Sequence, residues 1–300
     1  MPPNDMSKRK NMQQGIDDQS LPDRLRIRRM RRDEVEFAID LAAGEGWNPG
    51  VHDGACFYAT DPNGFFVAEL DGELVGSISA VSYGDSFGFM GLFIVKPEYR
   101  GTRIGARLGK KGLAYLTDHN IGLDGVVEQQ PNYQRHGFRT AYRNLRYEGV
   151  GGGGSMPDGV VAIAEVRFED LLEYDARMFP VPRPQFLSCW IDQPEGAALA
   201  VVEDDGLAGY GVIRKCRSGY KIGPLFADNT QIAETLFAAL TSEVPGEPIF
   251  LDTPEVNSAA VELAERHHMS VVFETARMYS KGEPALPMNR IFGVTSFELG

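Results

Sequence analysis

The sequence predicts an α+β protein of two modules, each a mixed, mostly antiparallel sheet flanked by helices. Three observations predict it. The chain has 300 residues, too many for one small core and about right for two average domains. A glycine-rich stretch, "GVGGGGSMPDG" at 149–159, cannot pack a core and reads as a flexible linker. The order of strand-like and helix-like segments before that stretch returns after it, as element order rather than residue identity. The expected organisation is a disordered tail at 1–22, a first domain at 23–149, a linker at 150–159 and a second domain at 160–300.

In the first module "RLRIRRM" (24–30) alternates like a strand, and "RDEVEFAIDLAAGEG" (32–46) places Val35, Ile39 and Ala42 at helical spacing. "GFFVAEL" and "ELVGSISAVSY" are β-rich runs joined by Asp71-Gly72, a hairpin signal. "FGFMGLFIV" (87–95) reads as a buried strand, 103–119 as a helix and "GLDGVVE" as a strand. "NYQRH" reads as a short helix stopped by Gly137, and "FRTAYRNLRYEG" as a final strand. In the second module "RFEDLLEYDARMF" and "RPQFLSCWI" read as helices. "AALAVVED" and "GLAGYGVIRKC" form a hairpin about Asp205-Gly206. "GYKIGPLF", "PIFLDTP" and "VVFETARMYS" are strands, with helices at 228–242 and 257–268 between them.

The bulk composition bounds the function. The chain is 43% apolar and 24% charged, ordinary for a globular protein. A net charge of −12 argues against a nucleic-acid partner, whose phosphates it would repel. No apolar run approaches the ~18 residues of a membrane helix, and the polar first residues have no secretory apolar core, so no membrane partner is expected. The basic "SKRK" in the tail reads as a solvated cluster. Cys56, Cys189 and Cys216 are far apart and odd in number, which predicts no disulfide framework, no metal site and a cytoplasmic location. His267 and His268 are adjacent on a helix and point to different faces, so no metal is expected there either.

The segment richest in chemistry is "IVKPEYRGTRIGARLGKKGLAYL" (94–116): a strand end, a cationic glycine loop, then a helix. The first turn of a helix has N–H groups with no partner inside it, and its dipole adds positive charge. Glycine allows close backbone approach, and arginine offers forked donors. Arg100, Gly101, Thr102, Arg103, Ile104, Gly105 and Ala106 combine these features, and a pyrophosphate is the natural ligand. A nucleotide-triphosphate loop is excluded because Gly105 is followed by Ala106-Arg107, and a dinucleotide fingerprint because its spacing is absent.

"LFIVKPEYRGTRIGARL" resembles the acetyl-CoA-binding motif of the GNAT superfamily of N-acetyltransferases, [RQ]-x-x-G-x-[GA] after a strand ending in V-x-P. The resemblance extends, by element order, from Arg24 to about Gly149, and the whole chain is similar to tandem GNAT proteins. One departure is Arg103, where the family's middle glycine is usual. Either the backbone there avoids positive φ, or the loop holds strain of ~1–3 kcal/mol. The resemblance implies that backbone groups of Phe93, Ile94 and Val95 pair with the pantetheine arm like an added strand, and that their amides polarise the thioester carbonyl. It implies a catalytic acid at Tyr133, four residues before Gly137-Phe138. The family's usual Asn upstream is Val126 here.

No carboxylate occupies "FGFMGLFIV", where the family often carries its base. Asp124, Glu128, Glu45 and His52 are the candidates, with Asp124 across the expected gap, and a water chain is the alternative. His119 reads as a helix-end residue and His136 as a surface residue. "EGWNPG" supplies Glu45, Trp47 and Asn48 to the expected acceptor wall, and Gln129, Gln130 and Asn132 add neutral polar groups near the same mouth. In the second module the loop's counterpart, "IGPLFADNTQIAETL", has Asp228 in place of a cation. Asp228 reads as an N-cap, and the module as degenerate, without coenzyme. The final segment, "NRIFGVTSFELG", is apolar enough to dock and to help close the acceptor cleft.

The expected function is an acetyl-CoA-dependent N-acetyltransferase acting directly on a small-molecule amine, as a monomer or homodimer. A non-catalytic acyl-CoA sensor is the alternative, and a longer acyl or aminoacyl donor a third reading.

Overall fold

The computed structural model describes residues 24–204 and 206–300. The tail expected at 1–22, its basic cluster and Asp205 of the second hairpin lie outside the described residues. The first half contains β1 (Leu25–Arg29), α1 (Val35–Gly44), α2 (Asp53–Thr60), β2 (Phe65–Leu70), β3 (Glu73–Tyr83), β4 (Phe87–Val95), α3 (Ile104–Tyr115), β5 (Asn120–Val126), α4 (Gln130–Arg135) and β6 (Arg139–Val150). The second contains β7 (Val160–Ala162), α5 (Phe168–Met178), α6 (Pro184–Trp190), β8 (Gly196–Glu203), β9 (Gly206–Lys215), β10 (Tyr220–Ala227), α7 (Thr230–Ser242), β11 (Pro248–Pro254), α8 (Ser258–Arg266), β12 (Ser270–Tyr279) and β13 (Ile291–Gly293).

Local chemistry explains the boundaries. Asp71 (φ 51°) and Gly72 (φ 86°) are both left-handed, which matches the twist of the β2–β3 hairpin. Ile104 and Leu108 are fully buried on the inner face of α3, against β3 and its neighbours. The N-cap of α7 is Asn229, whose side chain accepts from the Ile232 amide at 3.0 Å. This corrects the expectation for Asp228, which instead accepts from the Tyr174 hydroxyl at 2.6 Å and pairs with Arg290.

The strands of the described residues form one 13-stranded sheet. From one edge β1 to β5 follow in chain order, and from the other β7 to β11 do the same. At the centre the last long strand of each series lies beside the other's fifth: the order is β5-β12-β6-β11. Thus β12 pairs with β5 and β6, while β6 pairs with β12 and β11, all antiparallel. Among the described residues only β4–β5 and β10–β11 are parallel. The glycine stretch begins inside this arrangement. Gly149 pairs with Ile249, and the Gly151 amide donates to the Glu247 carbonyl at 2.8 Å.

Two features tie the halves together besides the sheet. Cys56 on α2 and Cys189 on α6 form a disulfide, with Cα atoms 5.4 Å apart. This corrects the expectation of unpaired cysteines. The partners are 133 residues apart in sequence, on helices from different halves, so spacing along the chain could not reveal them. The other tie is buried charge. Arg146 on β6 donates twice to Asp252 on β11, at 2.6 and 2.7 Å, and Arg214 on β9 donates to Asp53 on α2 at 2.8 Å. All four side chains are almost wholly buried. Removing one partner of such a pair leaves a charge without compensation. Asp252→Ala is therefore expected to lower stability by about 3–5 kcal/mol, read as a shift of the urea midpoint.

Candidate active site

The site begins at a defect in the sheet. β4 and β5 pair only from Phe87↔Asn120 to Met90↔Leu123 and then separate. Just past that point the β3–β4 register slips between Ser77↔Ile94 and Ser79↔Gly91, so β4 carries an extra residue. Leu92 there has φ 46°, rare for a branched-chain side chain and a mark of a bulge that re-aims the strand. The result is a cleft of about 1280 Å³ between the end of β4 and the segment 126–138. Its walls include Phe93, Ile94 and Val95 on one side and Tyr133 and Phe138 on the other.

The mouth of the cleft is the glycine loop. Arg100, Gly101, Thr102, Gly105 and Ala106 line it, and α3 starts at Ile104. Gly101 has φ 78°, so only glycine fits there without strain. Arg103 is the N-cap with φ −75°, so its backbone avoids the left-handed region and the departure from glycine stores no strain. The Thr102 hydroxyl donates to the Tyr99 carbonyl at 2.6 Å and fixes the loop. Arg100 donates to the Val95 carbonyl at 2.9 Å and pairs with Glu45 across the mouth. A Cβ built on Gly105 would meet only Val95, at 3.8 Å, so the space above this glycine opens into the cleft. First-turn amides, helix dipole and guanidinium together fit a diphosphate.

The inner end narrows into a chamber of about 50 Å³ that shares Trp47, Met90, Phe93, Val126, Gln129, Tyr133 and Phe273 with the cleft. Gly91, Leu92, Asp124, Thr275, Phe297 and Glu298 complete its wall. Tyr133 packs edge-on against Phe138, and burial pushes its hydroxyl up to about 12. The Asp124 side chain is fully buried and raised by burial, but Arg277 donates to it at 2.8 and 3.0 Å and Asn144 at 2.8 Å. Both oxygens are engaged, so Asp124 ties β5, β12 and β6 together at the chamber wall.

The structure thus brings together most of the residues expected from sequence: Phe93, Ile94, Val95, Arg100, Gly101, Thr102, Gly105, Ala106, Tyr133, Glu45, Trp47 and Gln129 line the cleft. Glu128, Asn132 and His136 line it as well. Arg103 and Ile104 do not. Ile104 is fully buried beneath the loop and anchors it. Asn48 is also not brought to the cleft, because its amide donates to the Ser218 carbonyl and accepts from the Ser218 amide, both at 2.9 Å. His52 faces Glu195 at 3.2 Å instead of the cleft. Phe273, Thr275, Phe297 and Glu298 were not among the expected site residues. The one signal for any of them was the apolar final segment, which reads as able to dock.

Comparison with known proteins agrees with this geometry. The family model described as "Acetyltransferase (GNAT) family" matches residues 30–138, and the one described as "Acetyltransferase (GNAT) domain" matches residues 171–293. Holothin acyltransferase of Pseudoalteromonas sp. (strain SANK 73390) is 30% identical over 270 residues, covering 89% of this chain and 92% of that protein. A putative acetyltransferase from Pyrococcus horikoshii has the same fold, with a TM-score of 0.80 and 23% identity over 92% of this chain and 96% of its own. A tandem GNAT protein from the clavulanic acid biosynthesis pathway superposes with a TM-score of 0.59 and 13% identity, covering 87% and 99%. The chain belongs to the GNAT family and is a tandem GNAT-like acyltransferase.

The corresponding gap in the second half is filled. β10 and β11 pair from Tyr220↔Ile249 to Ile222↔Leu251 and then part, as β4 and β5 do. That gap holds the chain's own β13, paired as Leu225↔Gly293 and Phe226↔Ile291. Two residues, Asp228 and Asn229, join β10 to α7, where eight join β4 to α3. No phosphate loop fits in so short a connection.

Two outcomes follow from the first-half geometry. Gly105→Ala should leave thermal stability unchanged or raised by up to about 1 kcal/mol, since alanine favours a helix. It should weaken CoA binding at least tenfold in calorimetry, because the new methyl enters the cleft. The Tyr133 hydroxyl should stay protonated well above neutral pH. The ratio of wild-type to Tyr133→Phe rates should therefore stay level from about pH 7 to about pH 10, read as CoA release.

Proposed function

We propose that the protein transfers an acetyl group from acetyl-CoA directly to the amine of a small molecule. The observation that carries this reading is the continuity of the cleft from the cationic glycine loop to an enclosed chamber at Tyr133. A donor groove that ends in a second chamber has a use in transfer and none in sensing. The loop amides, Arg100 and the N-terminus of α3 would hold the diphosphate. The separated stretch of β4 from Phe93 to Val95 would pair with the pantetheine arm and aim an amide at the thioester oxygen. Tyr133, protonated at neutral pH, would donate to the departing sulfur. Trp47, Gln129 and Phe273 would hold the acceptor.

The relative named holothin acyltransferase supports acyl transfer as the chemistry. Acetyl as the acyl group is our reading from the narrow inner chamber. We place the reaction in the cytoplasm, where coenzyme A thioesters are made. The Cys56–Cys189 bond argues the other way, since reducing compartments keep thiols apart. We also retain a division of the chain near the glycine stretch at 150–159, a boundary of sequence crossed in space by β6 and β12.

The test is incubation of a metabolite extract with the protein and isotope-labelled acetyl-CoA, followed by mass spectrometry. A labelled amide should appear with wild type. Tyr133→Phe should cut its formation by about 10²-fold or more with CoA affinity unchanged. CoA binding without any labelled product would favour the sensor.

A further inference from the structure

The chamber lacks an assigned base, and every carboxylate expected there from sequence is engaged or outside it. Asp124 is tied by Arg277 and Asn144, Glu45 pairs with Arg100 at the mouth, and Glu128 is exposed at the outer cleft. We infer that Glu298, delivered by the C-terminal segment of the second half, is the carboxylate that receives the amine in the first half's chamber and takes its proton. This inference rests on the acyl-transfer reading above.

Three observations carry it. First, Glu298 is 2% exposed and lines the inner chamber, yet neither of its carboxylate oxygens has a hydrogen-bond partner. A buried carboxylate without partners is costly and needs an explanation. An ammonium group bound in the chamber supplies one. The Thr275 hydroxyl, also buried, also without a partner and on the same wall, offers a second contact.

Second, cations surround Glu298 without occupying its oxygens. Arg146, Lys221 and Arg214, from β6, β10 and β9, all feel its charge. Each directs its own donors elsewhere. Arg146 bonds Asp252 and the Trp47 carbonyl, Lys221 the Asn48 carbonyl and Arg214 Asp53. From β5, Asp124 faces the same chamber, neutralised by Arg277, and from α4 it is Tyr133. Glu298 is left with open lone pairs on the chamber wall.

Third, its position is held by backbone, not by a flexible side chain. Strand β13 is clamped in the second module's gap, and the Val294 amide donates to the Asp252 carbonyl at 2.8 Å. The chain then reaches β4, where a Cβ on Gly91 would lie 1.9 Å from the Glu298 carbonyl oxygen. Only glycine at 91 allows this approach. The Leu299 amide donates to the Ser296 hydroxyl at 3.0 Å, and the Tyr83 hydroxyl donates to the Leu299 carbonyl at 3.0 Å, which fixes both sides.

The chemistry balances as follows. Glu298 takes one proton from the ammonium. The freed nitrogen lone pair forms the bond to the thioester carbon, and the carbon–sulfur bond breaks with its electron pair on sulfur. The second nitrogen proton reaches sulfur through the Tyr133 hydroxyl. Products are the amide and free CoA thiol, and Glu298 returns its proton to solvent. The acceptor class is a primary alkylamine with a flat apolar body, since Trp47, Phe273 and Phe297 place aromatic rings in the wall.

The experiment compares two acceptors with acetyl-CoA as donor. Benzylamine is protonated at neutral pH, as alkylamines are, and needs a base. Hydroxylamine is largely free base and does not. Glu298→Gln should cut the benzylamine rate about 100-fold or more and the hydroxylamine rate less than about fivefold. Gly91→Ala, which pushes the segment off β4, should show the same selectivity. CoA affinity by calorimetry is read for each protein, and its retention shows that the fold and the donor site survive. Equal losses with both acceptors, no loss with either, or wild type that binds CoA and acetylates neither amine would overturn the assignment. Absence of CoA binding in wild type would instead sink the acyl-transfer reading beneath it.

Discussion

The structure depends on one exchange of backbone hydrogen bonds. Strand Ser270–Tyr279 completes the first half's sheet beside β5, and strand Arg139–Val150 completes the second half's beside β11. A ladder cannot be left open in a buried sheet without stranding N–H and C=O groups. Each half therefore has a full set of partners only in the presence of the other. The two strands also pair with each other along most of their length, which locks the register of both halves at once.

This arrangement makes the candidate cleft a joint product. Segment 45–53 of the first half is held by cations of the central and second-half strands. The Trp47 carbonyl accepts from Arg146 at 2.6 Å, the Asn48 carbonyl from Lys221 at 2.9 Å, and Asp53 from Arg214. These cations are buried, so their cost is offset only by such partners. β12 adds Phe273 and Thr275 to the chamber, and the segment after β13 adds Phe297 and Glu298. In the second half the corresponding gap is filled by the chain's own tail, as a strand. The same tail is what reaches the first half's site.

Much of the donor site was legible in the sequence because it is local. The loop that fits a diphosphate has its first-turn amides, a left-handed glycine and the Arg100 guanidinium all within Arg100–Ala106. Strand–helix order and the Asp71-Gly72 turn are equally local, so the elements and their sequence could be read in both halves. The exact N-cap of α7 was misread because Asp228 and Asn229 are chemically alike. The neighbour that decides between them, Tyr174, is 54 residues away.

The sequence by itself determined the fold family, the repeated element order and the anion-binding loop, since each rests on contacts between near neighbours in the chain. Tertiary structure alone decided the pairing of Cys56 with Cys189, the engagement of Asp124 by Arg277, the diversion of Asn48 to Ser218 and the arrival of Glu298 beside Gly91. Those contacts join residues more than a hundred positions apart, across strands whose order in the sheet is not their order in the chain. No periodicity or spacing encodes such an encounter. It follows only when the backbone hydrogen bonds of both halves are satisfied together.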